Sequence, residues 1–159
     1  MEQALTIGNE TFLFSYDEHS REWLLKDADY FGGYDTDLRI DKRVFPDGNV
    51  NWEEVQAFML YLRNDPARVM DNMVSAGVVL KSLFQEAYLR SEEREVRQEA
   101  YFEMSGISFR GYSQTSPGNF IYDYLMMPYY SGDRLMDVGT YMWRASFIGY
   151  SIYGVSREY

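Results

Sequence analysis

The spacing of apolar residues changes twice along this chain, and that change constrains its fold more than any other feature. From Thr11 to Tyr16 the apolar positions alternate, with Phe12, Phe14 and Tyr16 on one face. Trp23-Leu24-Leu25 supplies a second short candidate strand. Leu38 to Val44 alternates again, setting Leu38, Ile40 and Val44 against Arg39, Asp41 and Arg43. A repeat of two is that of a half-buried strand. From Val55 the spacing becomes three and four, through Phe58, Met59 and Leu62, and then through Val69, Met70, Met73, Val74, Leu80, Phe84 and Ala87. That is the apolar stripe of a helix. From Ile107 and Phe109 the repeat of two returns, in Phe120, Tyr122, Tyr124 and Met126 and in Tyr141, Trp143, Ala145 and Phe147. Ser151 to Val155 is a last candidate strand. Strands, then helices, then strands predict an α+β fold. The expected form is a mainly antiparallel sheet from the N- and C-terminal strands, with a central pair or trio of helices packed on one face.

Local punctuation sets the boundaries. Phe45-Pro46-Asp47-Gly48 reads as a turn, with Pro and Gly each supplying backbone angles that other residues resist. Asn51 followed by Glu54 is a capping pattern for the first helix. Asp65 and Pro66 suit the N-cap and first position of the second. Gly77 inside that helix allows either close packing or a break. Ser91-Glu92-Glu93-Arg94 opens a third, highly charged helix. No repeat, Pro/Ser-rich linker or low-complexity tract interrupts the 159 residues, so a single domain spanning 1–159 is expected. Its zones are a β zone at 1–50, a helical zone at 51–104 and an aromatic β zone at 106–159. At this length a folded chain buries roughly 70% of its extended-chain surface.

The chain has no cysteine, which excludes disulfides, thiolate nucleophiles and Cys-based zinc sites. Met1-Glu2-Gln3-Ala4-Leu5 lacks the basic and apolar regions of a signal peptide, and no stretch reaches the ~20 apolar residues of a membrane span. A cytoplasmic bacterial or phage protein is expected. Formal net charge is −10, and it is uneven: residues 1–65 hold 14 acids and 6 bases, net −8, whereas 66–159 are net −2. Such an acidic half repels nucleic acid and anionic lipid and draws in a basic partner. It also serves plain solubility.

His19, the single histidine, sits in the polar turn Tyr16-Asp17-Glu18-His19-Ser20-Arg21. It has no G-x-S-x-G nucleophile to serve as base for, and reads as a surface turn residue. No G-x-G-x-x-G or P-loop is present. Asp27, Asp29, Gly32 and Asp35 match positions 1, 3, 6 and 9 of a calcium loop. Phe31 and Leu38, however, fall where positions 5 and 12 need ligands, so neither metal nor cofactor is expected. Glu92, Glu93, Glu95, Glu99 and Glu103 interleave with Arg90, Arg94 and Arg97 at helical spacing, as surface ion pairs do. A glycosidase-type carboxylate pair does not stand out among them. The aromatic zone has two readings, sheet core or recognition surface, and Tyr129-Tyr130-Ser131-Gly132-Asp133-Arg134 is the strongest case for the second.

The order Tyr30-Phe31-Gly32-Gly33, Leu38-Arg39-Ile40, the helix from Val55 to Leu62, Asn64, a long second helix and Ser105-Gly106-Ile107-Ser108-Phe109 resembles a diffuse group of uncharacterised bacterial domains. Several of these are thought to be immunity proteins of polymorphic toxin systems. The resemblance covers about residues 22–155 as a pattern of residue types. Such domains often carry a Trp-Asp-x-Glu-His-Gly-like segment after the aromatic strand. Here that region reads Met127-Pro128-Tyr129-Tyr130-Ser131-Gly132-Asp133, without the histidine, so no functional residue carries over. The resemblance implies a cytoplasmic protein that binds and neutralises a cognate toxin.

The residues therefore lead to a non-catalytic binding protein of the immunity or inhibitory type. Its expected partner is a protein, such as a basic toxin or nuclease, with no direct contact to nucleic acid or membrane. Asp27, Asp29, Asp35, Asp37, Tyr129 and Tyr130 are the expected partner-binding residues. Three alternatives stay open. One is a phage-encoded acidic inhibitor of host defence that mimics nucleic acid, and another is a small carboxylate-dependent hydrolase. The third is a homodimer formed through the aromatic zone.

Overall fold

A computed structural model describes residues 1–26, 36–86, 101–113, 115, 119–129 and 142–157. Among these residues the chain forms eight strands and two α-helices, the α+β class. The strands are β1 (Glu2–Ile7), β2 (Glu10–Asp17), β3 (Glu22–Lys26), β4 (Asp37–Asp41), β5 (Tyr101–Tyr112), β6 (Phe120–Tyr129), β7 (Trp143–Ile148) and β8 (Ser151–Arg157). Between β4 and β5 lie α1 (Trp52–Asn64) and α2 (Pro66–Glu86).

All eight strands join one sheet, and their order in space is their order in sequence. Every neighbouring pair is antiparallel except β4 and β5, which run parallel, with Leu38 opposite Ile107 and Ile40 opposite Phe109. Parallel neighbours need a long crossover, and the two helices lie within it. The sheet is thus two antiparallel meanders sealed along one parallel seam. Gly106 sits in that seam. A Cβ there would stand 3.1 Å from Leu125 Cδ1 and 3.2 Å from the Asp37 carbonyl oxygen, so the close approach needs glycine.

The repeat of two sorts the sheet into two faces. Leu5, Ile7, Phe12, Phe14, Leu25, Leu38, Ile40, Ile107, Phe109, Tyr122, Tyr124, Ala145 and Phe147 are buried on one of them. They share a single core with Val55, Phe58, Met59 and Leu62 of α1 and Val69, Ala76 and Leu80 of α2. Phe58 is its hub, with ring centroids 4.6 Å from Phe109, 5.2 Å from Tyr122 and 5.3 Å from Phe120.

Both helices start as their sequences predict. Asn51 Oδ1 accepts from the backbone N–H of Glu53 and Glu54, at 3.2 and 3.4 Å, satisfying orphan amides of the first turn. Asp65 Oδ1 accepts from Arg68 N at 3.0 Å, with Pro66 at the first helical position. Gly77 does not break α2. Its Cα approaches Phe102 on β5, and a Cβ would stand 3.7 Å from the Phe102 carbonyl oxygen.

Several expectations need correction. The helical zone does not run to 104, because Tyr101–Glu103 already belong to β5, paired with Pro128 and its neighbours on β6. The charged run before it hid the alternation of Phe102 and Met104. The expected third helix at 91–100 lies outside the described residues. Val74 is 60% exposed rather than part of the core stripe. The buried face of α2 turns instead through Val69, Asn72, Ala76 and Leu80. The Leu38–Val44 strand ends at Asp41, and Lys42–Val44 form a 3-10 turn because the Asp41 side chain caps Arg43 N at 2.8 Å. An additional edge strand, β1, pairs with β2 through Leu5 opposite Phe12.

Candidate binding site

An opening for a ligand forms where β2, β3 and the start of α1 meet. Tyr16 and Trp23 face each other across the β2–β3 pair, and their rings lie 5.3 Å apart. Trp52 is the first residue of α1, and the Asn51 cap fixes its place. Its ring meets Trp23 at 5.2 Å with the planes at 85°, and Phe14 at 5.2 Å and 61°. Two indoles and a phenol therefore make walls at steep angles to one another. Lys42, set by the Asp41-capped turn, holds its ammonium 4.6 Å from the centre of the Tyr16 ring. Gly48, Asn49, Val50 and Met1 complete the rim of a cavity of about 300 Å³. The turn that places this rim has left-handed backbone at Asp47 and Gly48, with φ of 57° and 69°. Among the described residues no carboxylate pairs with Lys42. The cavity sits within the acidic half of the chain, and Glu2, Asp17, Asp47 and Glu53 directly adjoin its lining residues in sequence. Its lower-end size suits one anchoring group rather than an extended substrate.

A second cluster lies on the face of the sheet away from the helices. Glu22, Asp37, Arg39 and Asp41 project there from β3 and β4, and Ser108, Arg110, Asp123, Arg144 and Ser146 from β5, β6 and β7. Asp123 is buried and accepts from Ser146 Oγ at 2.7 Å, Arg144 at 3.0 Å and Arg110 at 3.2 Å. Asp41 takes a two-pronged contact from Arg43. Burial opposes its ionisation, but the hydrogen bonds from Arg43 outweigh that and hold the carboxyl below its usual range. Glu22, directly opposite Asp41 in the ladder, goes the other way. Burial raises its pKa and the Asp41 charge adds to the rise, while Arg39 at 3.8 Å only partly offsets it. Acids and arginines alternate here, so this face is ion-paired rather than uniformly negative.

A third polar group lies inside the core. Tyr122 Oη donates to the Gly149 carbonyl at 2.7 Å and Tyr124 Oη to the Val69 carbonyl at 3.2 Å. Burial pushes both phenols, and that of Tyr61, well above their usual range. These tyrosines act as core residues that tie α2 and the β7–β8 turn to β6.

The expected partner-binding residues divide. Asp27, Asp29, Asp35 and Tyr130 lie outside the described residues. So do Phe31 and Gly32 of the rejected calcium-loop pattern and the segment from Ser131 to Arg134. Asp37 starts β4, 3.7 Å from Arg39 and across from Lys26. Tyr129 ends β6 and stacks on Tyr101 at 5.9 Å. Along β5, Asp37 is opposite Gly106 and Tyr129 opposite Tyr101. Five residues of strand separate those positions, roughly 17 Å, so the two do not form one contact. His19 occupies the β2–β3 turn, its backbone N–H donating to Asp17 at 2.9 Å. Sequence reasoning assigned Tyr16 and Trp23 to strands but missed the cavity they line. The signal available was the capped Trp52 four residues after the Gly of a Pro-Asp-Gly turn.

Among the described residues no three His, Cys, Asp or Glu side chains converge as a metal site, and no helix is long and apolar enough to cross a membrane. Comparison with protein-family models, curated proteins and solved structures finds no match to this chain.

Proposed function

We propose that this chain is a non-catalytic binding protein of the immunity or inhibitory type, which docks on a protein partner through its acidic N-terminal half. One observation carries the reading: an open cavity walled by Tyr16, Trp23 and Trp52 lies within the part of the chain that is net −8. Tyrosine and tryptophan in a pocket are typical anchors of protein interfaces, and surrounding charge of one sign speeds encounter with a partner of the other. Inhibition would be steric, the domain covering a basic surface such as the substrate groove of a toxin or nuclease. Asp27, Asp29, Asp35 and Asp37 would add to the steering field, and Tyr129 and Tyr130 to the contact area.

The test is coexpression with the product of the adjacent reading frame, followed by mass measurement and titration at low and high salt. A one-to-one complex that weakens as salt rises supports the reading. Absence of a complex, or no relief of the neighbour's toxicity, overturns it. Replacing Asp27, Asp29, Asp35 and Asp37 together by Asn should slow association and flatten the salt dependence. An unchanged salt slope would exclude the acidic loop from the interface.

A carboxylate-dependent hydrolase is the second reading, and Glu22 with Asp41 favours it. Two opposed carboxyls, one raised and one lowered, are what acid–base chemistry uses. Both are buried at 7–8% exposure, which leaves little room for substrate. Hydrolysis of aryl glycosides that vanishes in Glu22→Gln would establish this reading. A nucleic-acid mimic draws less support, because the acids of the outer sheet face alternate with arginines.

A further inference from the structure

The cavity at β2, β3 and α1 has a feature that protein–protein docking alone does not require: a cation is already inside it. Lys42 places its ammonium over the Tyr16 ring at 4.6 Å, within the distance at which a ring quadrupole attracts positive charge. Trp23 stands against Tyr16, and Trp52 stands at 85° to Trp23. Three electron-rich ring systems at steep angles form an aromatic cage, the arrangement that recognises cations. Lys42 is half-buried and reaches the ring on a flexible four-carbon stem from a short turn. Among the described residues it has no ion-pair partner that would hold it there.

We infer that Tyr16, Trp23 and Trp52 form a cage for the guanidinium of an arginine on the protein partner, and that Lys42 occupies it in the free protein as an internal stand-in. This deepens the binding reading above and rests on it. Three observations select arginine. Every lining residue belongs to the part of the chain that is net −8, which favours an incoming cation over an anion. The cavity of about 300 Å³ is open and large enough for a guanidinium beside the lysine. A planar guanidinium stacks on an indole face and is less strongly hydrated than an ammonium, so it outcompetes Lys42 for Trp23 and Trp52. Displaced Lys42 then swings outward on its stem into solvent.

The sign of one substitution tests this. The probe is N-acetyl-arginine methylamide, titrated while the indole N–H resonances of Trp23 and Trp52 are followed, with Trp143 as internal reference. Lys42→Ala should empty the cage and tighten the probe roughly two- to five-fold, the range of one accessible cation–π contact. Trp143 should not move, and N-acetyl-aspartate methylamide should shift neither indole. Trp52→Leu should abolish the arginine shifts. Trp52 is half-buried at the helix start, and circular dichroism checks that the variant folds. The proposal is overturned if Lys42→Ala weakens the probe or leaves it unchanged, if the anionic probe binds better, or if no saturable shift occurs in either protein. It is also overturned if the wild-type protein dimerises and the arginine probe dissolves the dimer, since the occupant is then a second copy. The two levels fail separately. A complex with the adjacent gene product and no arginine shifts removes the cage alone, whereas arginine shifts without any protein complex remove the docking reading.

Discussion

The two meanders use the same kind of residue for different ends. In β5–β8 the inward aromatics are sealed: Tyr122, Tyr124 and Phe147 are at most 1% exposed, and two phenols donate to backbone carbonyls. In β1–β4 the inward aromatics near the edge, Tyr16 and Trp23, stay half-buried, and with Trp52 they line a cavity. The difference follows from what covers them. α2 and the middle of α1, through Phe58, lie across the C-terminal strands, whereas β2 and β3 meet α1 at its first residue, Trp52, and that end leaves an opening. An aromatic strand is core where helices lie across it, and wall where a helix starts.

The contrast can be broken most severely at the hub. Phe58→Ala should lower stability by about 3–5 kcal/mol, read as a shift of the urea midpoint, because it empties the contact among Phe109, Phe120 and Tyr122. A loss below about 1 kcal/mol would mean that the C-terminal meander does not depend on α1. Next comes Gly106→Ala at the seam, expected to cost about 1–3 kcal/mol through overpacking against Leu125 and the Asp37 carbonyl. Asn51→Ala should cost about 1 kcal/mol. It should also disturb the Trp52 environment in fluorescence while leaving the C-terminal meander unchanged, which sharpens the comparison.

The smallest effect belongs to the outer face, where the halves also differ. Asp123 has three donors, while among the described residues Glu22 has one ion pair, with Arg39 at 3.8 Å, beside a second carboxylate. A raised folded-state pKa means that the fold favours the protonated form of Glu22, so its ionisation lowers stability as pH rises above the ordinary value of 4.5. Glu22→Gln should therefore raise the melting temperature at pH 7, and the gain should vanish as pH falls below about 4. Asp41 carries the opposite sign. It contributes stability above its ordinary value of 3.8, and that contribution is lost as pH falls. Equal melting curves for Glu22→Gln and the parent at pH 7 would show that Arg39 compensates Glu22 fully.

Most of the fold could be read from residue spacing, because alternation in β2, β4, β6 and β7 and the stripe of α1 are local properties. The Asn51 and Asp65 caps and the Pro46–Gly48 turn were legible for the same reason: each is a side chain answering its own backbone. What escaped depends on neighbours distant in sequence. Glu2–Ile7 carries little strand character by itself and becomes β1 by pairing with β2. Tyr101–Met104 follows a charged run and is drawn into the sheet by β6. Val74 fits a helical stripe but points away from the sheet, since Asn72 and Ala76 fix the face that packs. The cavity was illegible because it needs Trp23 and Trp52, which are 29 positions apart in the chain, to meet edge to face. Asp37 and Tyr129 looked like companions by residue type, and the ladder keeps them apart.

The parallel seam has a consequence for how the chain reaches this state. Every other strand pair joins residues at most 28 positions apart, so each meander can pair ahead of the seam. Joining Ile40 to Phe109 must wait until the intervening helices have packed, and such distant pairing is what slows folding. The seam is therefore the step that sets the rate, and crowding at Gly106 should appear as slower refolding rather than faster unfolding.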